Sequence, residues 1–223
     1  MPISSTKAPP EPKIAFATID LTELMRRVDG LDDVAGVVGY ELFKRFPIRL
    51  DFVQSRATIH DPASFKYEGT GTPVPITFRG TAPKVAGTVD GVAGAFAIDT
   101  GSRGSLALTT PFADANGLVA KLGAKTEAIV GAGIGGPVRA SLARANELQF
   151  GGIAIRNPVT TLVRDGQGAL GDPNLAGVIG FGILRQFNVT FDYPRSVIHF
   201  EKNGAFGTDT FDRAGLWLER GAK

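Results

Sequence analysis

Apolar residues along this chain come in short runs separated by glycine, proline, aspartate and serine, the spacing of a β-rich fold rather than of long helices. Runs at 74–78, 85–89, 92–98 and 106–108 read as strands, followed by 128–130, 138–143, 147–150 and 159–163. Residues 188–191 and 197–201 read as a closing pair, and 48–53 as a further strand nearer the start. Asp90-Gly91, between the second and third runs, is a two-residue hairpin signal because both residue types tolerate positive φ. Helical spacing is confined to short segments: 21–28, where Asp20 or Thr22 is placed to cap; 40–46; 111–116, with Pro111 in its first turn and Gly117 at its end; and 181–186. The expected class is all-β with short helices.

The chain also resembles itself. Ala35-Gly36-Val37-Val38-Gly39-Tyr40-Glu41-Leu42-Phe43, with Phe46, Asp51 and Ser55, aligns without a gap on Ala176-Gly177-Val178-Ile179-Gly180-Phe181-Gly182-Ile183-Leu184, with Phe187, Asp192 and Ser196. The offset is a constant 141 residues, from Gly36 to Gly177 and from Asp51 to Asp192. A single pair of copies so far apart indicates two related lobes rather than a solenoid. Asp51 and Asp192 each precede a bend, which suits turn-forming residues better than catalytic ones. Between the copies, residues 61–72 are rich in Pro, Ser, Gly and Thr and read as a linker, with 61–68 as its core.

Composition narrows the function classes. With 223 residues, 43% of them hydrophobic and 21% charged, the chain is long enough to bury a sizeable core. A net charge of +2 argues against a nucleic-acid partner, as does the scatter of Lys7, Lys13, Arg26, Arg27, Lys44 and Arg45, which form no basic stripe. The absence of cysteine excludes a disulfide scaffold and thiol catalysis. His60 and His199, the two histidines, lack paired-ligand spacing, so no metal is expected. Ser102 and Ser105 lie outside a G-x-S-x-G context and have no histidine partner, which argues against a serine nucleophile. No apolar run approaches the ~20 residues that span a bilayer, and residues 1–12 read as a flexible Pro-rich tail.

The strongest candidate for chemistry is the run Phe96-Ala97-Ile98-Asp99-Thr100-Gly101-Ser102. An apolar strand delivers a carboxylate to its own C-terminal end and then turns on a glycine, with Thr100 placed to hold the turn and Ser102 to hydrogen-bond the carboxylate. Taken alone, Asp-Thr-Gly also describes a capped bend. Downstream stands Val178-Ile179-Gly180, which leads into a short helix and the closing strands. The two elements in this order resemble the aspartic peptidases of the pepsin and retropepsin type, in which an apolar-apolar-Gly segment passes beside the catalytic loop.

Gly131-Ala132-Gly133-Ile134-Gly135-Gly136 admits two readings. It satisfies the minimal dinucleotide fingerprint G-x-G-x-x-G, which would make 137–146 a helix and place an acidic residue about twenty positions on. Glu147 comes too early for that role, and Asp165 runs into a glycine-rich loop. Under the resemblance, the same glycines are the tip of a mobile hairpin, the flap, with Val130 and Val138 on its arms.

The resemblance implies a closed β-barrel lobe over 69–203 and catalysis by Asp99, supported by Thr100 and Gly101. Substrate would be bound by Ser102, by Gly131, Gly133, Ile134, Gly135 and Gly136, and by Val178, Ile179 and Gly180. Such enzymes need two aspartates that share a proton and no cofactor, and they act on peptide or unfolded protein. The second aspartate would come from a missing upstream lobe, of which 13–60 would be the closing half, or from a second chain in a homodimer. Residues 204–223 resemble the lead-in to a PDZ domain in two-lobed exported bacterial proteins, which implies the periplasm or cell envelope. Two readings of other classes stand beside this one: a peptide-binding or assembly module without turnover, and a nucleotide-binding oxidoreductase built on 131–136.

Overall fold

The computed structural model describes residues 38–124, 127–133, 136–164, 166 and 168–208. The expected tail 1–12, the helix at 21–28, residues 35–37 of the first repeat copy and the C-terminal lead-in from 209 on lie outside the described residues.

Fifteen short strands form two sheets among the described residues. The first has the order β2 (Arg56–Ile59), β1 (Ile48–Asp51), β14 (Phe187–Asp192), β15 (Val197–Lys202), β3 (Thr72–Pro75). The second runs β11 (Ile153–Arg156), β10 (Glu147–Phe150), β5 (Ala82–Val89), β6 (Val92–Ile98), β13 (Gly177–Ile179), β7 (Leu106–Leu108), β12 (Val159–Val163), β9 (Gly136–Arg144), β8 (Glu127–Gly133), and β4 (Thr77–Arg79) pairs with β5. Its path ends at β11 and β8, neither of which has a further strand partner among the described residues, so no ring of hydrogen bonds closes the sheet there. One apolar cluster joins both sheets: Val74, Phe187, Val189 and Ile198 pack with Phe96, Leu106, Leu148, Leu162 and Ile179. Phe150 and Phe200 meet edge to face at 5.3 Å across the junction. Burying rings of this size stabilises by roughly 2–3 kcal/mol each.

Among the described residues the α-helices are few and short: α1 (Tyr40–Phe43), α2 (Thr110–Ala115), α3 (Leu118–Lys121) and α4 (Phe181–Leu184). The helices expected at 40–46 and 181–186 therefore stop early, each giving way to the strand that follows. Thr109 caps α2 by accepting from Phe112 N–H at 3.4 Å. The run expected as one strand at 74–78 divides between the two sheets. Pro75 ends β3, and Ile76 turns the chain by donating to Ser196 O at 2.9 Å before β4 begins.

The internal repeat has a geometric counterpart. By the 141-residue offset α1 corresponds to α4 and β2 to the first four residues of β15, while Ser55 (φ 50°) and Ser196 (φ 54°) share the same unusual backbone. β1 pairs antiparallel with β14 in the register Ile48↔Phe191, Arg49↔Thr190, Leu50↔Val189. Arg49 thus faces its own counterpart Thr190, and the flanking pairs exchange under the offset, so a local two-fold axis passes through the Arg49–Thr190 pair. Ring contacts obey the same axis: Tyr40 lies 6.3 Å from Tyr193, and their counterparts Phe181 and Phe52 lie 5.3 Å apart.

The segment expected as a linker is fastened to this sheet. Arg195 Nη2 donates to the carbonyls of Pro62 and Phe65, both at 3.2 Å. Tyr67 stacks on His199 with ring centroids 3.8 Å apart and accepts from Gly71 N–H at 2.9 Å. Beneath Tyr67, His199 has a buried Nδ1 without a partner among the described residues, and burial holds its pKa below the usual value despite the nearby charge of Asp192. The unfolded chain binds this proton near pH 6.5 and the folded chain binds it only at lower pH. The histidine's contribution to stability is therefore complete above about pH 6.5 and is lost as pH falls below it. The melting temperature should drop between about pH 7 and 5 more steeply in the parent than in His199→Phe, which keeps the stack but cannot titrate; parallel profiles would remove His199 from the account.

Candidate active site

β6 and β7 are neighbours in sequence but not in space, because β13 lies between them. It runs parallel to β6 in the register Val178↔Ala97, Ile179↔Ile98, and antiparallel to β7 with Ile179↔Leu106. The connection from Asp99 to Ser105 must therefore cross the end of β13, where the chain leaves through Gly180 into α4. Three backbone bonds lock the crossing: Gly180 N–H to Ser105 O at 2.9 Å, Phe181 N–H to Ser102 O at 2.7 Å, and Gly182 N–H to Gly104 O at 3.0 Å. Asp99 N–H donates to Ile179 O at 3.0 Å, which fixes the aspartate's backbone to the β13 end. The two motifs singled out in the sequence are thus brought together, although about eighty residues separate them.

Asp99 and Thr100 are exposed, and Phe96, Ala97 and Ile98 before them are buried. The core therefore holds the strand rigidly while the carboxylate faces solvent. Asp99 Oδ1 accepts from Gly101 N–H at 2.8 Å, an Asx-type turn that orients the carboxylate. Ser102 meets the aspartate through its backbone, its N–H donating to Asp99 O at 3.3 Å and its carbonyl accepting from Phe181 N–H, and its Oγ lies beside Gly180; the structure describes no bond from that Oγ to the carboxylate. Ile179 is fully buried and Val178 nearly so, and the described contact of Ile179 with the aspartate is through its carbonyl.

The glycine-rich segment is a hairpin. β8 and β9 pair from Glu127↔Ser141 up to Gly133↔Gly136, with an irregularity between Ile129 and Gly131. Gly131, Gly133 and Gly136 lie inside its strands, and Ile134 and Gly135 between the arms lie outside the described residues. Residues that a dinucleotide site would need as a helix form β9, so the nucleotide reading fails on topology. The hairpin is seated on β12 through β9, and its outer arm β8 has no further strand partner among the described residues. Backbone amides of Gly131 and Gly133 should accordingly exchange at least about a hundredfold faster than those of Val92–Ile98, which lie between β5 and β13. Equal protection would mark a packed structural hairpin.

Some supporting residues carried no signal in the sequence. Thr109 Oγ1 donates to Leu175 O at 2.6 Å, and buried Asp172 pairs with Arg79 and accepts from Asn174 N–H at 2.9 Å, so both fasten the approach to β13. Thr and Asp before an apolar run read as ordinary turn residues, and only the fold makes them struts. Asp51 and Asp192 stand at the ends of β1 and β14 in the other sheet. Asp51 Oδ1 accepts from Val53 N–H and Gln54 N–H, and buried Asp192 is paired with Arg195 at 3.1 Å. No group of three or more His, Cys, Asp or Glu side chains converges on a common point among the described residues.

Residues 85–182, from β5 into α4, match the aspartyl protease family. Two solved structures are similar to part of the chain. One is a retropepsin-like aspartic protease from Rickettsia conorii, 18% identical with a TM-score of 0.41, covering 60% of this chain and 97% of that one. The other is the retroviral protease-like domain of Ddi1 from Leishmania major, 14% identical with a TM-score of 0.38, covering 56% of this chain and 96% of that one. No curated protein matches the chain.

Proposed function

We propose that this chain is an aspartic peptidase component in which Asp99 is one of two catalytic carboxylates, the second arriving from another lobe or another chain. The observation that carries the reading is the Asp99 loop. An exposed carboxylate stands at the end of a buried strand, oriented by Gly101 N–H and tied to Ile179 O, within the segment that matches the aspartyl protease family. In such a pair one carboxyl stays protonated because two charges so close repel. The ionised member takes a proton from water as its oxygen attacks the peptide carbonyl carbon, and the protonated member donates to the carbonyl oxygen. Collapse of the tetrahedral species breaks the C–N bond, and a proton passes to the leaving amine. A peptide lying extended along the outer edge of β8, which has no strand partner among the described residues, would gain main-chain hydrogen bonds, and that edge equally supports a second reading as a peptide-binding module without turnover.

Asp99 alone cannot supply both the acid and the base in one step. The isolated monomer should therefore cleave nothing from about pH 3 to 7, the range in which a coupled carboxylate pair titrates, and any turnover should rise with the associated fraction. Sedimentation across concentration, run beside cleavage of a mixed peptide library, tests this. Robust cleavage by a proven monomer would overturn the two-carboxylate account.

A further inference from the structure

Between β2 and β3 the chain runs as a strap over one face of the first sheet. The register sets Arg49, Thr190 and His199 in one row on that face, and Asn188 with Glu201 in the next. Val189, Ile198 and Phe200 alternate with them and are buried in the core, so the face under the strap is polar. Two fastenings hold the strap down. At its start Asp61 closes a turn on Ala63 N–H at 3.0 Å, and Arg195 reaches the carbonyls of Pro62 and Phe65. At its end Tyr67 lies flat on His199, with 11° between the ring planes, and accepts from Gly71 N–H. Glycine makes that seat: a Cβ at Gly69 or Gly71 would strike the Tyr67 hydroxyl, and one at Gly71 would also stand 3.0 Å from Glu201 N.

The two fastenings respond differently to protons. Histidine is the ordinary side chain that changes charge between pH 5 and 8, so the first fastening is constant through that range and the second is not. A charged imidazole must donate from both nitrogens, and His199 Nδ1 is buried with no acceptor among the described residues. The charges around the ring are themselves paired. Asp192 of β14 is held by Arg195 at 3.1 Å, and Glu201, on the same face of β15, is held by Arg49 of β1 at 3.0 Å. On the strap, Lys66 and Glu68 flank Tyr67 with opposite signs, and β3 sets the uncharged Pro73 opposite His199. Burial outweighs the attraction of Asp192 and lowers the histidine's pKa.

We propose that Tyr67 and His199 form a proton-operated latch: the closed strap keeps His199 neutral, and protonation lifts residues 66–71 from the sheet while Arg195 keeps 62–65 in place. Linkage sets the sign and the limit. With Tyr67 lifted, the ring is solvated and binds a proton near pH 6.5, whereas under the closed strap it binds one only at lower pH. Opening is therefore favoured as pH falls through about 6.5. By pH 5 the gain is at most about thirtyfold, the value reached if the closed ring stays neutral throughout. The lifted segment leads into β3, so acid loosens the direct tie between the β1–β2 hairpin and the strands from β3 onward, while β14 and β15 still join them. The latch does not depend on the peptidase reading. His60, which packs on Phe65 with ring centroids 4.8 Å apart, is the competing titration.

Hydrogen exchange of the Gly71 amide in the full chain, corrected for the intrinsic effect of pH, reads the latch. Exchange of the Ile76 amide, which donates to Ser196 O at 2.9 Å, reads the sheet edge beside it. Between about pH 7.5 and about pH 5, protection of Gly71 should fall at least about fivefold in the parent and in His60→Gln. It should not change in His199→Phe, which keeps the stack but cannot take a proton, and protection at Ile76 should hold in all three. A Gly71 amide whose protection ignores pH in the parent overturns the proposal. So does a fall that survives in His199→Phe or vanishes in His60→Gln, and so does loss at Ile76 in step with Gly71, which would mean that the whole edge opens. If His199→Phe does not fold, the parent and His60→Gln profiles at Gly71 and Ile76 still decide the matter by the same outcomes.

Discussion

Replacing Gly180 by alanine is expected to cost about 3 kcal/mol and to lower the melting temperature by roughly 6–12 °C. Gly180 has φ −104°, an extended backbone open to any residue, so the penalty comes from crowding. The new methyl would collide with Gly104 O and sit 2.7 Å from Ser102 O and 2.9 Å from Ser102 Oγ. Neither carbonyl yields without breaking the bonds from Gly182 N–H and Phe181 N–H, each contributing ~1 kcal/mol. The displaced loop begins at Asp99, so whatever turnover the protein has should fall with stability. Gly39→Ala is the matched control: an added methyl meets nothing within 4 Å among the described residues, and the change should stay within about 0.5 kcal/mol. Thermal melts of the two variants decide the matter, and equal shifts would mean that the loop does not straddle Gly180 in solution.

That crowding also shows which parts of the fold a sequence discloses. The strands Val92–Ile98, Leu106–Leu108, Glu147–Phe150 and Val159–Val163 end where the apolar runs end, because each is bounded by residues that turn or cap. Asp90-Gly91 turns as its composition demands, with φ 47° and 80°. β11 went unread although Ile153-Ala154-Ile155-Arg156 alternates buried and exposed behind Gly151-Gly152, a plain hairpin signal. The division of residues 72–79 between two sheets is a different case. Nothing local distinguishes an apolar run that stays in one sheet from one that changes sheets at Ile76, since the choice is made by β15 and β5, far away in the chain. The same limit applies to the site. Asp99 was legible as a carboxylate at a strand end, but insertion of β13 between β6 and β7 is a tertiary event. That event, not local chemistry, gives Ser102 its role as a backbone acceptor and hides Ile179 in the core.

The internal repeat was the most transferable signal, because a two-fold relation converts sequence identity into a geometric demand. It requires that β1 meet β14 symmetrically, which the register satisfies. It also requires that residues in corresponding places have corresponding surroundings, which Val38, Ala57 and Ile59 do not. An apolar face with no cover among the described residues, beside a strand edge with no partner among them, is a liability for a chain in solution, so the mismatch bears on association as well as on catalysis.

Asp99→Asn should abolish turnover in any assembled form that cleaves peptide, with a loss of at least about a thousandfold, while the melting temperature stays within about 1 °C of the parent. Asparagine keeps the shape and the Oδ1 acceptor, so the 2.8 Å bond from Gly101 N–H and the turn it closes survive. The side chain is exposed, so the exchange buries no new polar group. What disappears is the ability to hold or accept a proton, the one property that a shared-proton pair requires of both members. Asp99→Ala separates the two roles, because it removes the acceptor as well and should cost an additional ~1 kcal/mol through the freed Gly101 amide. Calorimetry and peptide cleavage on the same preparations read both quantities. If Asp99→Asn retained turnover, the reacting carboxylate would have to be sought elsewhere, with Asp51 and Asp192 the first to test. Their engagement with the Val53 and Gln54 amides and with Arg195, in a different sheet, is the physical reason to expect that the search would fail.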